Sequence, residues 1–196
     1  ATWRDRSAIL GYYNDFSKSY NETEFLKRLY KYNYEKDHIN IMVLDEVNIS
    51  RVEYYFADFL SILEYPKDKW KVKLMQLPYS FELLVFLQDG VLKIPENTWF
   101  IATANKDDST YTITDKVYDR AITIAFDDRN EEFEVEDDVR KIKLSFDHLT
   151  SLFKEAQSHD ENKLTAKDRD NFKTITDFAF DKFDLTFGNR INNQIN

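Results

Sequence analysis

Cysteine is absent from these 196 residues, and glycine and proline occur only three times each. Without cysteine there is no disulfide scaffold, no thiolate zinc site and no cysteine nucleophile. At the average usage of about 7%, a chain of this length would carry roughly fourteen glycines. The three present, Gly11, Gly90 and Gly188, stand far apart. No phosphate-cradling loop of the G-x-x-x-x-G-K-[ST] or G-x-G-x-x-G type can be written from them. Only three histidines occur, His38, His148 and His159, without metal-ligand spacing. Basic charge is also in short supply: 27 Lys and Arg stand against 36 Asp and Glu, a net charge of −9. That sign argues against a segment that holds nucleic acid by itself. No apolar run approaches the eighteen or so residues of a membrane span, and no signal peptide opens the chain, so the expected compartment is the cytoplasm.

What remains is the material of an ordinary packed interior, with 42% hydrophobic residues, 16 Phe and 12 Tyr. The first twenty residues mix turn formers and polar side chains and read as a loop. From Glu22 the apolar positions Phe25, Leu26, Leu29, Tyr30 and Tyr34 fall at helical spacing, with Asn21 or Thr23 as N-cap. HINIMVLDEVN, residues 38–48, is a short apolar run closed by two acids, the pattern of a buried parallel strand. A helix capped by Ser50 and running to Glu64 is expected next, ended by Pro66. Asp89-Gly90 reads as a hairpin turn. NTWFIATAN, residues 97–105, is a second core strand. A short helix from Thr114 to Arg120 leads to a third, AITIAF, residues 121–126. Eight acids then fall between Asp127 and Asp138, a solvated run suited to a domain boundary. Helical patterns follow over roughly 144–159, 164–183 and from Gly188 onward. The expected order is therefore an α/β unit over 1–130 and an all-α unit over 131–196.

The strongest chemical signal is Ile41-Met42-Val43-Leu44-Asp45-Glu46, four apolar residues followed by two acids. A strand ending this way can aim one carboxylate at a cation and the next at a water. Mg²⁺ suits such a site because it keeps several waters and takes one or two carboxylates. The second acid can then deprotonate an attacking water. A strand that simply ends in a solvated turn is the plainer alternative. The strand over 97–105 ends in Asn105, and tips of adjacent parallel strands converge on one crevice. A carboxamide there can position a water, although a turn residue would look the same. Arg120, at the end of its short helix, fits a surface ion pair as readily as a functional role.

Taken together these segments resemble a known family. IMVLDEVNISRVEYYFADFLSILE is similar to the Walker B region of AAA+ ATPases related to McrB, the motor subunit of modified-DNA-specific restriction systems. IPENTWFIATANKDDSTYTITDKVYDRAITIAF resembles that family's sensor-1 strand with the helix and strand that follow. WRDRSAILGYYN is similar to the stretch after an early core strand, and FGNRINNQIN to the sensor-2 helix of the lid. The resemblance implies a partial P-loop NTPase core, a parallel sheet with flanking helices, followed by a helical lid. It also implies roles. Asp45 would hold Mg²⁺ through water, and Glu46 would activate the hydrolytic water. Asn105 would be sensor 1. Arg120 would be the arginine finger that reaches a neighbouring subunit's γ-phosphate, and Arg190 the sensor-2 arginine. Arg51 would contact a neighbour or the nucleotide. GTP-using members carry a sensor-1 string like MNTADRS. Here it reads ANKDDST, with Ser109 in place of the Arg, which favours ATP.

The missing phosphate loop departs most from the family, since its backbone and lysine supply most of the triphosphate's binding energy. In the family that loop precedes the region where Ala1 falls. The chain is therefore expected to be part of a larger ring-forming ATPase that acts on DNA through other domains, alongside a nuclease or effector subunit. By itself it would bind and hydrolyse no nucleotide. One alternative is a non-catalytic subunit that assembles with or regulates an active partner. Another is a stand-alone carboxylate-metal nuclease, against which stands the lack of a suitably placed lysine. A core without its first strand and helix would leave strand edges and apolar surface uncovered, so the isolated chain is expected to self-associate.

Overall fold

The computed structural model describes residues 3–74, 87–126 and 142–186. The chain forms two compact units, Ala1–Phe146 and Asp147–Asn196. Residues 127–138, where the sequence suggests a boundary, lie outside the described residues, as do Gly188 and the helical pattern after it.

The first twenty residues hold more structure than a loop. Helix α1, Arg6–Leu10, is short but capped at both ends. Asp5 Oδ1 accepts from the amides of Ser7 (2.8 Å) and Ala8 (3.3 Å). Those hydrogen bonds, with the Ser7 hydroxyl leading, hold the Asp5 carboxyl below its ordinary pKa. Gly11 closes the helix at φ 81°, its amide donating to Ser7 O. A Cβ at Gly11 would stand 2.1 Å from Asn21 O, so only glycine fits there. Strands β1, Tyr12–Asn14, and β2, Ser19–Asn21, then pair as an antiparallel hairpin. These caps were visible as residue types, yet a five-residue helix has no periodicity to announce it.

Helix α2, Glu24–Tyr32, follows the expected spacing, with the Thr23 side chain accepting from Leu26 N. It buries Phe25, Leu26 and Leu29. Strand β3, Asn40–Leu44, comes next. The helix expected from Ser50 to Glu64 is instead broken into three pieces. A 3₁₀ turn covers Val47–Ile49, followed by α3, Val52–Tyr55, and α4, Ala57–Ile62. Ser50 lies between the first two, and Arg51 occupies the N-cap of α3. The break at Phe56 lets both Tyr55 and Phe56 turn inward with Val52 and Phe59. One continuous helix over this run would spread those side chains around more of its circumference.

Strand β4, Lys71–Lys73, pairs antiparallel with β6, Val91–Lys93, which also pairs with β5, Leu87–Gln88. Asp89 and Gly90 join β5 to β6 with φ of 52° and 72°, the two-residue turn their identities imply. Strand β7, Thr98–Ala102, lies parallel to β3 in the register Asn40↔Thr98 to Leu44↔Ala102. Their inward face rests on an aromatic cluster, in which the Phe100 ring lies 5.5 Å from Phe56 and 5.4 Å from Phe59. Phe59 stands between Phe56 and Phe25, at 4.7 and 5.4 Å.

Helix α5, Asp115–Tyr118, lies within the segment expected to be helical. The strand expected over 121–126 does not form: these residues are neither helix nor strand, and all are exposed. A strand exists only through a neighbour's ladder, and among the described residues none is offered to AITIAF. In the second unit the described elements are helices: most of α6, Phe146–Ser158, a 3₁₀ turn over Asp160–Asn162, and all of α7, Ala166–Phe183, which opens on a capping box between Thr165 and Asp168. Among the described residues, no helix is long and apolar enough to cross a membrane.

Candidate functional site

The parallel register fixes the geometry of the strand tips. Leu44 and Ala102 are the last paired residues, so Asp45 and Glu46 leave β3 beside Thr103, Ala104 and Asn105 leaving β7. All five are exposed. Thr103 joins the two tips. Its hydroxyl donates to Asp45 Oδ1 at 2.6 Å and accepts from the Glu46 amide at 2.9 Å. Its own amide donates to Leu44 O at 3.0 Å, and its carbonyl accepts from Val47 N at 2.9 Å. Thr103 therefore carries the strand pairing one residue further and orients the first carboxylate. A threonine at the end of a strand is ordinary, so nothing in the sequence marks it.

Glu46 has φ 51° and ψ 54°, a left-handed backbone. Lys18, Asp89 and Asp184 also have positive φ, but they lie in hairpin turns or at a helix end, where this is common. Glu46 sits between β3 and the 3₁₀ turn, held by Thr103. Such a conformation costs about 1–3 kcal/mol in a non-glycine residue and concentrates at functional positions.

Behind the tips lies Asn48, buried and facing both loops. Its Nδ2 donates to Asn105 O at 2.7 Å and to Tyr111 O at 3.3 Å, while Tyr111 N donates back to Asn48 O at 2.8 Å. Asn105 O also accepts from Thr110 Oγ1. Asp107 rounds the loop by accepting from the Ser109 hydroxyl and amide, and these bonds lower its pKa. The backbone of Asn105 is thus clamped while its side chain stays at the exposed tip. Replacing Asn48 with Ala removes both part-buried Nδ2 hydrogen bonds, which costs about 1–3 kcal/mol in all. Urea unfolding should register that loss, and the Tyr111 amide should exchange its hydrogen faster in Asn48→Ala.

Under Asn48, the Tyr55 hydroxyl donates to Val47 O at 2.7 Å. Burial, reinforced by Glu53, pushes its pKa up from 10.0 to about 12. The folded chain therefore holds this proton more tightly than the unfolded one. The resulting stability is fully present below pH 10 and is lost as the pH rises toward 12. Unfolding followed between pH 9 and 12 should show this decline, and Tyr55→Phe should flatten it.

The arginines are placed differently. Arg51 is exposed, its guanidinium carbon 5.6 Å from the Tyr54 ring centre and 5.4 Å from that of Tyr111. Its Nη1 donates to the Tyr54 hydroxyl at 3.1 Å. Arg120, just past α5, pairs through Nε with Glu64 Oε1 at 2.5 Å and donates from Nη1 to Lys116 O at 2.6 Å. The surface ion pair considered for Arg120 is therefore present. Glu64 was not singled out in the sequence, where no spacing rule links residues so far apart. Arg190 lies outside the described residues.

Among the described residues, no three or more His, Asp or Glu side chains gather as a metal cage. Asp45 and Glu46 are a two-carboxylate set, which fits Mg²⁺ that retains most of its water shell. A triphosphate finds no glycine-rich cradle in the sequence, so these residues alone do not fit it. Compared with protein-family models, with curated proteins and with solved structures, the chain gives no match. At the level these observations reach, the protein is a mixed α/β chain with a small parallel two-stranded sheet and helices.

Proposed function

We propose that this chain is part of an McrB-like AAA+ nucleoside triphosphatase, carrying the water-activating and sensing elements of its site. The observation that supports this best is the pairing of β3 with β7. The Asp45-Glu46 pair and Asn105, distant in sequence, leave the same end of a parallel sheet, linked through Thr103. In this reading Asp45, oriented by the Thr103 hydroxyl, would hold Mg²⁺ through water. Glu46 would accept the proton of the attacking water, and Asn105 would orient that water. Bound Mg²⁺ would supply charge neutralisation on the phosphates. Arg120 acts on a neighbouring subunit's nucleotide, and Arg190 belongs to the lid. The preferred nucleotide is ATP, the assembly a ring, and the work coupled to hydrolysis is movement or remodelling of DNA held by other domains with a nuclease or effector partner. The site is completed by a phosphate loop contributed from outside these 196 residues.

The test is the coding sequence immediately upstream of Ala1, followed by expression of the extended chain. An open frame that contains G-x-x-x-x-G-K-[ST], giving a protein with Mg²⁺-dependent ATP hydrolysis, is the expected result. A frame without the motif overturns the ATPase reading and leaves the non-catalytic subunit. That alternative would be upheld by a change in a partner's ATPase rate when this chain is added.

A further inference from the structure

A strand that kept its course past Leu44 would separate the two acids that follow it. Successive side chains of a strand point to opposite faces, as the alternating burial of Asn40–Leu44 records. Asp45 and Glu46 would then serve opposite sides of the sheet. The backbone does not keep that course. Glu46 turns to φ 51° and ψ 54°, and the 3₁₀ turn Val47–Ile49 begins at the next residue. A non-glycine residue stays in a left-handed conformation only where its surroundings fix it. Here the Thr103 hydroxyl supplies that hold, accepting from Glu46 N at 2.9 Å. Val47 N donates to Thr103 O at 2.9 Å immediately after it.

The same oxygen governs the first acid. A threonine hydroxyl has one proton to give. Accepting from the Glu46 amide occupies a lone pair and leaves that proton for Asp45 Oδ1, 2.6 Å away. One side-chain oxygen therefore fixes the carboxylate of one acid and the backbone of the other. Its own position is set by the strand pairing, through Thr103 N donating to Leu44 O at 3.0 Å, and by a branched Cβ that allows few settings of χ1.

We propose that Thr103 is a positioning residue for both acids, its hydroxyl setting the Mg²⁺-facing carboxylate of Asp45 and the proton-accepting Glu46 into one arrangement, which rests on the roles proposed above for those two residues. Thr103 acts through its neighbours and takes no proton itself. Valine has the shape of threonine without the hydroxyl, and its backbone can make the same bonds to Leu44 and Val47. Thr103, Asp45 and Glu46 are all exposed, so water can take up the freed polar groups. Thr103→Val should therefore fold with nearly unchanged thermal stability. What it loses is alignment, and displacing a reacting group by about an ångström is enough to cost about 10²-fold in rate.

The first measurement needs no nucleotide. In the 196-residue chain, the Glu46 amide should exchange its hydrogen faster in Thr103→Val and return toward the wild-type rate in Thr103→Ser, which keeps the hydroxyl. Unchanged exchange in Thr103→Val overturns the proposal. The second measurement uses the chain extended upstream to include the phosphate loop, with ATP and Mg²⁺. Thr103→Val should lower kcat by about 10²-fold and raise the Mg²⁺ concentration that gives half the maximal rate, and Thr103→Ser should restore both. A merely structural threonine would lower the melting temperature and move neither. An unaltered kcat, a change in kcat without a change in the Mg²⁺ requirement, or a Thr103→Ser as impaired as Thr103→Val overturns the shared hold and leaves the ATPase reading intact. An extended wild-type chain without Mg²⁺-dependent hydrolysis overturns that reading, and this proposal with it.

Discussion

If the extended chain is the ring ATPase proposed above, Arg120→Ala is expected to lower its turnover by about 10³–10⁵-fold, the range over which an arginine finger acts. The structure supplies a competing explanation that the experiment must separate. Arg120 is held by Glu64 and by the Lys116 carbonyl of its own chain. Both side chains of that ion pair are partly exposed, so losing it costs at most about 1 kcal/mol of stability. A merely structural Arg120 would give a slightly less stable protein with near-normal turnover. A finger gives the reverse. Mixing provides the second readout. A Glu46→Gln subunit lacks its own base but offers an intact Arg120, whereas an Arg120→Ala subunit has the base and lacks the finger. If Arg120 acts in trans, mixtures of the two inactive variants regain activity at interfaces where the intact finger meets the intact base. Loss of turnover without rescue on mixing would place Arg120 in its own subunit's site. Unchanged turnover would leave only the Glu64 pair.

The parts of this chain legible in the sequence are those governed by local periodicity or by a few special residues. Thr23 as a cap, the apolar stripe of α2, the Asp89-Gly90 turn and the two core strands belong to that kind. The strand tips were legible as well, because a parallel pair brings Asp45 and Asn105 to one end whatever the register. Other features depended on partners that one residue string cannot reveal. The helix expected from Ser50 to Glu64 breaks at Phe56 because the aromatic cluster recruits Tyr55, Phe56 and Phe59 together, a tertiary demand that overrides propensity. AITIAF has the alternation and β-branched residues of a strand, yet that preference is fulfilled only beside another strand. Thr103 and Asn48 are silent in the sequence for a different reason. Their importance lies in hydrogen bonds across 57 or 58 positions, and neither residue type is unusual where it occurs. Glu64 is similar, since its role is defined wholly by the proximity of Arg120.

In the same extended chain, Glu46→Gln is expected to lower kcat by about 10²–10⁴-fold, the usual contribution of a positioned general base. Glutamine has nearly the shape of glutamate, and the left-handed backbone at this position is held by Thr103 through the amide, which the substitution leaves in place. The fold and the nucleotide affinity should therefore be preserved, with only the capacity to accept a proton removed. Asp45→Asn provides the contrast. It removes the charge that would face Mg²⁺ and should weaken Mg²⁺-dependent nucleotide binding itself, whereas the Thr103 hydroxyl can still donate to the carboxamide oxygen. The two neighbouring acids thus divide into a binding defect and a chemical defect, distinguishable by titrating nucleotide with and without Mg²⁺ and by single-turnover hydrolysis. Equal effects of the two substitutions on affinity and on kcat would contradict the division of labour. Wild-type kcat in Glu46→Gln would show that the exposed carboxylate at the β3 tip does not act as the base, and the second acid would then be no more than part of a solvated turn.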